Sequence, residues 1–452
     1  MKRVLFVTYA FPPMAAVGGR RIVDFCKYLP EYGWEPVVLT VKGGSNTAWD
    51  DTQLDKVAHV KVYRSPIYLP MLPKNGRRPG PKRQYTGAQA EIPSAAVPTQ
   101  ASAIRSMRRA VGSLLRIPDE INFWIPLGLA AGIRAVRKEK VAAVVSSSPP
   151  VSGHVLASLL ARVRGCPHVV DFRDLWTLNH TYAYRQHTPT SKRVDAALER
   201  WVLRKAARIV TASPGFEDQL RLHLSGSLAD RLVTITNGFD YDEIDLNREF
   251  VPRDSSRMRI VYTGSLYSDF NPVFFLECLA EWMKRSAIDP GTIQVDFYGN
   301  CEYDYSDFLA GLGLARTVTF HGFVSHTALP AIVEQADYQL LLLSFKPQHA
   351  PVIPAKLFEY LAAPARILAL TPRGTTADLI ARYEAGEVLS EPDREKMSGI
   401  FDRMYRDWRE SARRPKKYRY IREIDRKFLA ERFAGELDRV TASRLGPGVA
   451  AE

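Results

Sequence analysis

The sequence predicts an α/β protein built from two doubly wound domains. Short apolar segments that end in Gly, Ser or Asp alternate with amphipathic helical segments through both halves of the chain, as in parallel sheets covered by helices. A strand, a glycine-containing loop and a helix follow one another from Val4, and the same order restarts at Arg259. Because the chain has 452 residues, each domain is long enough to form its own hydrophobic core.

The composition indicates a globular protein with an anionic partner. Hydrophobic residues make up 46% of the chain, which is ordinary for a globular domain, and no apolar run approaches the roughly 20 residues of a membrane-spanning helix. The formal net charge of +13 favours phosphorylated substrates, an anionic membrane surface or nucleic acid. No nucleic-acid recognition motif accompanies this charge, so we expect no nucleic-acid partner.

The first strand, over residues 4–8, leads into a loop that predicts a ligand-binding site. The loop contains Gly18 and Gly19, and the helix after it has Ile22 and Phe25 on its apolar face. Glycine lets the backbone approach a ligand closely, and the N-terminus of a helix favours phosphate. Ligands bind at the carboxyl ends of the strands in doubly wound sheets, so we predict that Gly18 and Gly19 contact a ligand.

Residues 74–117 predict a basic insertion in the first domain. Lys and Arg are interleaved with Pro and Gly at its start, and the lack of apolar periodicity predicts a mobile segment. Apolar residues then recur at helical spacing, with arginines between them: Ile104, Met107, Val111, Leu114 and Leu115. This helix is either a dock for an anionic membrane surface or an ordinary surface helix, and the sequence leaves both interpretations open.

Two later strands of the first domain end in polar clusters. Ser148 and His154 follow one strand, where small hydroxyl residues suit substrate hydroxyls; a structural role is the alternative for His154. Asp171, Arg173 and Asp174 follow the next strand, and such charges are costly unless they are paired or hold a ligand. Arg173 stays protonated and cannot act as a base, so we predict that it steadies a phosphate or sugar group while the aspartates orient it or a hydroxyl.

The second domain predicts an anion-binding site at the ends of its strands. Gly264 and Ser265 follow its first strand, and Lys346 follows a later one. Lys356 and Glu359 lie three residues apart on one side of a helix. The cation attracts phosphate, whereas the carboxylate accepts hydrogen bonds from two sugar hydroxyls. A solvated ion pair without function is the alternative for Lys356 and Glu359.

No motif predicts a metal or a cofactor. Asp240 and Asp242 have the spacing of a metal-binding pair, but they follow an Asn-Gly turn, which favours a helix cap. The four cysteines are isolated and fit neither a zinc pattern nor a disulfide framework. Because the N-terminus also reads as a strand rather than a signal peptide, we expect a reducing, cytoplasmic location.

Three segments resemble glycosyltransferase family four, whose members are retaining enzymes of the GT-B fold. The segments are Phe-Pro-Pro with Gly-Gly-Arg at 11–20, Asp-Phe-Arg-Asp at 171–174 and Pro-Ala-Lys-Leu-Phe-Glu-Tyr at 354–360. The resemblance implies two Rossmann-like domains that face each other across a cleft. It also implies that the donor diphosphate lies against four residues: Gly18, Gly19, Gly264 and Ser265.

The resemblance assigns roles to single residues and includes three departures from the usual family pattern. Glu359 matches the second of two glutamates that lie eight positions apart and is expected to hold the ribose of a nucleotide-sugar, whereas Pro351 replaces the first. Arg173 stands where most members have His, as in a subgroup that carries Asp-Phe-Arg-Asp. The usual cations are missing from 267–271, so either Arg173, Lys346 and Lys356 neutralise the diphosphate or the activity is weaker or altered.

The resemblance thus implies a retaining, metal-independent hexosyltransferase without a cofactor, which moves a sugar from a nucleotide diphosphate donor to an acceptor hydroxyl. We expect an acceptor-binding domain over 1–246, with Ser148 and His154 at the acceptor, and a donor-binding domain over 257–400. Residues 401–452 are expected to form helices that cross back to the first domain and a flexible tail. The acceptor is expected to be a glycan or a lipid-linked glycan, with the enzyme peripheral at the inner face of the membrane.

Two alternatives belong to other functional classes. In the first alternative the chain is another GT-B enzyme, such as a nucleotide-sugar epimerase or a sugar-phosphate synthase. In the second it is a nucleotide-sugar-binding protein that has lost catalysis. Pro351 and the loop 267–271 favour the second alternative, because they lack charged groups that the family uses. Such a protein would bind a nucleoside diphosphate and turn over no donor.

Overall fold

The computed structural model describes residues 1–14, 17–43, 51–67, 83–85, 111–179, 182, 188–224, 226–249, 256–267, 270–324, 328–411 and 416–442. The chain divides into two compact units. The first comprises Met1–Pro73, Pro98–Asp240 and Arg422–Glu452, and the second comprises Lys74–Val97 and Tyr241–Ile421.

Strands and helices alternate through both units, as predicted. The strands in the described ranges are β1 (Lys2–Val7), β2 (Trp34–Val41), β3 (Lys61–Ser65), β4 (Arg83–Gln84), β5 (Ala143–Ser148), β6 (His168–Phe172), β7 (Arg208–Thr211), β8 (Leu232–Thr234), β9 (Met258–Thr263), β10 (Ile293–Tyr298), β11 (Tyr303–Asp304), β12 (Val318–Gly322), β13 (Tyr338–Leu342), β14 (Arg366–Leu370) and β15 (Gly386–Leu389). The helices there are α1 (Arg20–Tyr28), α2 (Trp124–Lys138), α3 (Ser152–Arg164), α4 (Pro189–Lys205), α5 (Pro214–His223), α6 (Val273–Arg285), α7 (Ser306–Gly311), α8 (Leu329–Glu334), α9 (Lys356–Ala362), α10 (Thr375–Arg382), α11 (Arg394–Ser411) and α12 (Arg426–Ala442).

The sheet of the first unit is parallel and is covered on both faces. Its described strands have the order β3-β2-β1-β5-β6-β7-β8. Successive side chains of a strand point to opposite faces, so Val4 and Phe6 pack in the core that contains residues of α1 and α12. Leu5 and Val7 pack in the core that contains residues of α2 and α3. Burial on both faces explains why β1 is a continuous apolar run.

The C-terminal helix α12 is part of the first unit. The ring of Phe433 stacks on that of Phe25, with 4.3 Å between their centroids. Ahead of the helix, the amide of Phe239 donates to the carbonyl of Ile424 at 2.7 Å, and a Cβ added at Gly238 would overlap that carbonyl. A glycine at 238 therefore allows the two chain segments to lie side by side.

The sheet of the second unit is also parallel. Its described strands have the order β12-β10-β9-β13-β14-β15. One core joins this sheet to α6 and α11, with Trp282 and Phe401 at its centre, 5.2 Å apart. Because β9, β10 and β13 are neighbours, the loops after them meet at one edge of the sheet.

The units differ from the expected boundaries in two places. The central segment of the first unit ends at Asp240 rather than at residue 246, and the unit also includes the chain from Arg422 onward. The second unit contains part of the insertion that we expected in the first: β4 pairs with β11, and Tyr85 packs against Phe308 with their centroids 5.1 Å apart. The aromatic surface of the second unit explains this placement, which the basic composition of the insertion does not reveal. Most of residues 74–110, including Ile104 and Met107, lie outside the described residues.

Two kinds of feature are absent from the described residues. None of their helices is both long and apolar enough to cross a membrane. Among the same residues, no group of three or more His, Cys, Asp and Glu side chains is arranged to hold a metal ion.

Candidate functional site

The polar loops of the first unit lie at the carboxyl ends of β1, β5 and β6, which are neighbours in the sheet. Arg173 connects these loops. Its Nε donates to the carbonyl of Ser148 at 2.9 Å and its Nη2 donates to that of Pro149 at 2.8 Å. A Cβ added at Gly18 would overlap Nη1 of Arg173, so the guanidinium lies directly against the glycine loop. The structure thus brings together Gly18, Ser148 and Arg173 at this edge of the sheet.

The charge of Arg173 is retained in a partly buried setting. Burial lowers its pKa, while Asp171 and Asp174 raise it. Because an arginine in a protein stays protonated, the loop carries a fixed cation whose direction is set by two backbone carbonyls. Asp174 is half-buried, and its carbonyl accepts from Oγ of Ser148 at 3.4 Å.

Asp171, which is predicted to orient Arg173 or an acceptor hydroxyl, lies in the interior of the unit. It is completely buried, and its Oδ1 accepts from Nη2 of Arg21 at 2.8 Å. Nε of Arg21 lies 3.1 Å from both carboxylate oxygens, and Oγ of Ser147 donates to Oδ2 at 2.7 Å. Arg21 also donates to the carbonyls of Ile235 and Thr236, both at 2.7 Å. Asp171 is therefore an internal partner of Arg21 that ties α1 to the sheet.

His154 is also internal, which disagrees with the predicted contact to an acceptor. It is completely buried, and its ring packs edge-on against Phe172 with 4.9 Å between the centroids. Oγ of Ser146 lies 2.6 Å from Nδ1 of His154 and 2.7 Å from Nε2 of His168. Burial lowers the pKa of His154 well below 6.5 and that of His168 to about 3, so both rings are neutral at physiological pH. Ser148 is buried too, and it faces the site through its carbonyl.

Two glycines shape the corresponding loop of the second unit. Gly264 has a φ of 131° and Gly299 has a φ of 133°, and residues other than glycine rarely adopt this backbone conformation. The amide of Gly264 donates to the carbonyl of Tyr298 at 2.8 Å, and a Cβ at Gly299 would overlap the carbonyl of Gly264. The two loops therefore approach each other backbone to backbone, and Ser265 is exposed beside them.

Lys356 is held against this loop. Its Nζ donates to the carbonyl of Thr263 at 2.9 Å and lies 3.9 Å from the centroid of the Tyr262 ring. A Cβ at Gly264 would come within 2.9 Å of the same nitrogen. Burial lowers the pKa of Lys356 to about 7, while Glu359 raises it. The structure thus brings together Gly264 and Lys356 and leaves a desolvated cation at the end of β9.

Two tyrosines that the sequence analysis did not single out fix this arrangement. The hydroxyl of Tyr360 accepts from the amide of Thr263 at 3.2 Å and lies 3.0 Å from its Oγ1. The hydroxyl of Tyr262 donates to the carbonyl of Ser265 at 3.1 Å. Both rings are buried, so they look like core residues in sequence, and only their hydroxyls contact the loop.

The remaining candidates lie on the neighbouring loop and helix. Lys346 follows β13, and its amide donates to Oγ of Ser344 at 3.4 Å. Glu359 is half-buried in the first turn of α9, and Pro351 is buried ahead of that helix. Because β13 is next to β9 in the sheet, this loop is at the same edge as Gly264. The structure gives no direct contact that joins Lys346 to Lys356.

Part of the chain is similar in sequence to known glycosyltransferases. Residues 18–238 match the family model described as a glycosyl transferase 4-like domain. The chain is 24% identical over 195 residues to the alpha-D-kanosaminyltransferase of Streptomyces kanamyceticus, an alignment that covers 40% of this chain and 48% of the relative. The match therefore spans about half the length of that curated relative.

Solved structures share the fold over nearly the whole chain. HepE of Anabaena, crystallised with UDP and glucose, superposes with a TM-score of 0.56 at 14% identity and covers 98% of both chains. The sucrose-phosphate synthase of Thermosynechococcus elongatus superposes with a TM-score of 0.55 at 13% identity and covers 99% of this chain and 98% of its own. The chain has the α/β fold of the GT-B class, as predicted, and residues 18–238 are similar to a glycosyl transferase 4-like domain.

Proposed function

We propose that this protein is a retaining hexosyltransferase that moves a sugar from a nucleoside diphosphate donor to an acceptor hydroxyl without a metal ion. The observation that carries the proposal is the position of Lys356. Its Nζ is held by the carbonyl of Thr263 and the ring of Tyr262, beside a glycine loop at the carboxyl end of β9. A desolvated cation beside a glycine suits a diphosphate, because no side chain at Gly264 blocks the approach and because the attraction between opposite charges strengthens away from water.

The donor would bind along the edge of the second unit. Gly264, Ser265 and Lys356 would hold the diphosphate, with Lys346 on the adjacent loop, and Glu359 would accept hydrogen bonds from the ribose. HepE, which has a similar fold, was crystallised with UDP-glucose as well as with UDP. This likeness makes a uridine diphosphate sugar the first donor to examine.

The first unit would bind the acceptor and supply a second cation. Arg173 is aimed by the carbonyls of Ser148 and Pro149, and we assign the chain to the subgroup that has Asp-Phe-Arg-Asp at this strand end. In that setting Arg173 stabilises charge and takes no proton. Asp174 would orient the acceptor hydroxyl, whereas Asp171 would act through Arg21.

The reaction needs no basic side chain. The bond from the anomeric carbon to the diphosphate oxygen breaks, and its electron pair stays on the diphosphate. The acceptor oxygen bonds to the anomeric carbon on the same face and passes its proton to a diphosphate oxygen. Cations placed where that negative charge develops stabilise the transition state, and this is the role proposed for Lys356 and Arg173.

We further propose that the acceptor is a lipid-linked or polymeric glycan and that the protein is cytoplasmic and peripheral at an anionic membrane. Val111, Leu114 and Leu115 are exposed beside Arg116, and the chain has a net charge of +13. An apolar patch next to arginines fits the surface of an anionic bilayer. Cosedimentation with phosphatidylglycerol vesicles tests this. Leu115→Ser should lower the fraction of protein that pellets with the vesicles, while Val163→Ser, a change at an exposed apolar residue outside this patch, should not.

Calorimetric titration with UDP, GDP, ADP and dTDP, without metal and then with EDTA, tests the central proposal. One diphosphate should bind with micromolar affinity in both conditions, and its sugar ester should be consumed when a glycan acceptor is added. Binding without any consumption would favour the non-catalytic alternative, for which Pro351 in place of a glutamate is the specific observation. Absence of binding to all four diphosphates would contradict both.

A further inference from the structure

Three aromatic residues form a connected chain beside the loop that holds Lys356. The rings of Tyr267 and Phe270 meet at 68° with 4.9 Å between their centroids, and those of Phe270 and His349 meet at 79° with 5.4 Å. Both arrangements are edge-to-face, which aromatic rings favour. His349 is buried, whereas Tyr267 is 48% exposed. The chain of rings therefore starts in the interior and ends in a tyrosine at the surface.

The backbone on either side of Tyr267 is fixed. The amide of Leu266 donates to the carbonyl of Asn300 at 2.8 Å, and the amide of Glu302 donates to the carbonyl of Leu266 at 3.1 Å. The amide of Phe270 donates to the carbonyl of Tyr267 at 2.8 Å. A ring that is already held in place loses little freedom when a ligand binds to it, so its contact contributes more to affinity.

The exposed ring lies close to the proposed diphosphate site. Tyr262 contacts Nζ of Lys356 with its ring and the carbonyl of Ser265 with its hydroxyl. Nζ of Lys356 thus lies beside Gly264, the first residue of the loop after β9. Tyr267 follows three residues later in the same loop. The loop after β13 supports that surface through His349.

We propose that Tyr267 forms the sugar subsite of the donor and stacks against the transferred pyranose. This inference rests on the proposed function, because it takes Lys356 as the diphosphate site and Glu359 as the ribose site. The sugar is then the ring on the other side of the diphosphate from the ribose. The carbon-bound hydrogens of a pyranose form an apolar, weakly positive face, which matches the negative face of an aromatic ring.

The subsite favours neutral hexoses over charged sugars. The loop segment 267–271 contains no Lys or Arg, so it offers no cation to a sugar carboxylate. A glucopyranosyl group has equatorial hydroxyls and presents broad faces of carbon-bound hydrogens, which makes it a suitable probe. The proposal therefore names Tyr267 as a residue that determines which sugar is transferred.

The test compares two ligands in two variants. Dissociation constants are measured by calorimetry for the diphosphate that binds among UDP, GDP, ADP and dTDP and for its glucose ester. Tyr267→Ala should raise the dissociation constant of the glucose ester by roughly three- to tenfold, the effect of losing one aromatic contact. The dissociation constant of the diphosphate should stay unchanged. Tyr267→Phe should bind both ligands as the wild type does, because it keeps the ring.

Tyr420→Ala is the matched control. Tyr420 is 55% exposed and meets Tyr241 edge-to-face at 4.9 Å, but it lies outside the loop, so both affinities should be unchanged. Equal weakening of the diphosphate and the ester by Tyr267→Ala would overturn the inference in favour of a contact with the nucleotide. No effect on either ligand would overturn it outright. A wild-type protein that binds none of the diphosphates would refute the proposed function itself.

Discussion

The guanidinium of Arg173 occupies the space into which a side chain at position 18 would extend. A Gly18→Ala substitution should therefore displace Arg173 from the two carbonyls that hold it and lower turnover, by about tenfold or more if Arg173 stabilises the transition state. The loss of stability should be small, because the group that must move is the end of a flexible side chain. Steady-state kinetics and thermal unfolding of the variant provide the measurements.

A double substitution separates this explanation from a general effect on the loop. In an Arg173→Ala background no guanidinium remains to be displaced, so adding Gly18→Ala should cost no further activity. Additive losses in the double variant would show that Gly18 acts independently of Arg173.

The buried pair of Arg21 and Asp171 should be needed for folding. Their side chains are 5% and 0% exposed, so Asp171→Ala leaves the arginine charge in the interior without its carboxylate. Such a change costs about 3–5 kcal/mol, measurable as a lower free energy of unfolding in urea. Arg173→Ala is the comparison: it should lower turnover far more than stability. Equal stability losses in the two variants would contradict the separate roles assigned to Asp171 and Arg173.

The strand ends could be predicted from the sequence because parallel strands buried on both faces are continuous apolar runs. The carboxyl ends of β1, β5, β6 and β9 follow from that pattern, and the glycines after β1 and β9 are visible in it. The comparisons confirm the resulting fold class, and residues 18–238 match the model of a glycosyl transferase 4-like domain.

The partners of the buried charges could not be predicted in the same way. Arg21 and Asp171 are 150 residues apart in sequence, and nothing local distinguishes an aspartate that faces a ligand from one that faces an internal arginine. His154 has the same ambiguity: a histidine in the first turn of a helix becomes internal only when Phe172 and Ser146 are packed beside it. Arg83–Tyr85 joined the second unit for an equally non-local reason.

Glu359 should contribute to nucleotide affinity through the ribose. If its carboxylate accepts hydrogen bonds from ribose hydroxyls, Glu359→Ala should weaken binding of the ribonucleoside diphosphate by roughly 1–3 kcal/mol, as expected for hydrogen bonds to a charged group. The wild type should also bind the 2′-deoxy form less tightly. In the variant this preference for the ribose form should disappear, and its persistence would contradict the assignment. Calorimetry of the wild type and of Glu359→Ala, each with the ribose and the 2′-deoxy form of the diphosphate, measures these differences.

Binding of the diphosphate should depend on pH through Lys356. Burial lowers the pKa of Lys356 to about 7, below the ordinary value of a lysine, so the amine loses its proton as the pH rises above about 7. If the diphosphate binds the charged form, affinity should fall by up to about tenfold per pH unit between pH 7.5 and 9. Binding should be accompanied by proton uptake in this range.

Two variants of Lys356 test the origin of that dependence. Lys356→Arg keeps a charge throughout the range, so its affinity should be lower or equal but independent of pH. Lys356→Met should bind weakly at every pH. Calorimetry in buffers of different ionisation enthalpy measures proton uptake directly, and an unchanged pH profile in Lys356→Met would assign the dependence to another group.

The buried histidines should make the first unit sensitive to acid. Both ring nitrogens of His168 face serine hydroxyls, with Nε2 2.7 Å from Ser146 and Nδ1 3.1 Å from Ser158, and burial lowers its pKa to about 3. The unfolded chain binds a proton at this residue near pH 6.5, whereas the folded chain does so only near pH 3. Stability must therefore fall as the pH drops through that window, by about 1.4 kcal/mol per pH unit for each such histidine.

His168→Gln should reduce this slope, because glutamine does not titrate. The free energy of opening, measured by hydrogen exchange at the amides of β5 and β6, should fall less steeply between pH 6 and 4.5 in the variant than in the wild type. His154 is subject to the same effect, since burial also lowers its pKa, so part of the slope should remain. A variant with the full wild-type slope would show that His168 is not the group that takes up the proton, and the acid sensitivity would then have to arise at His154 or at the carboxylates of the unit.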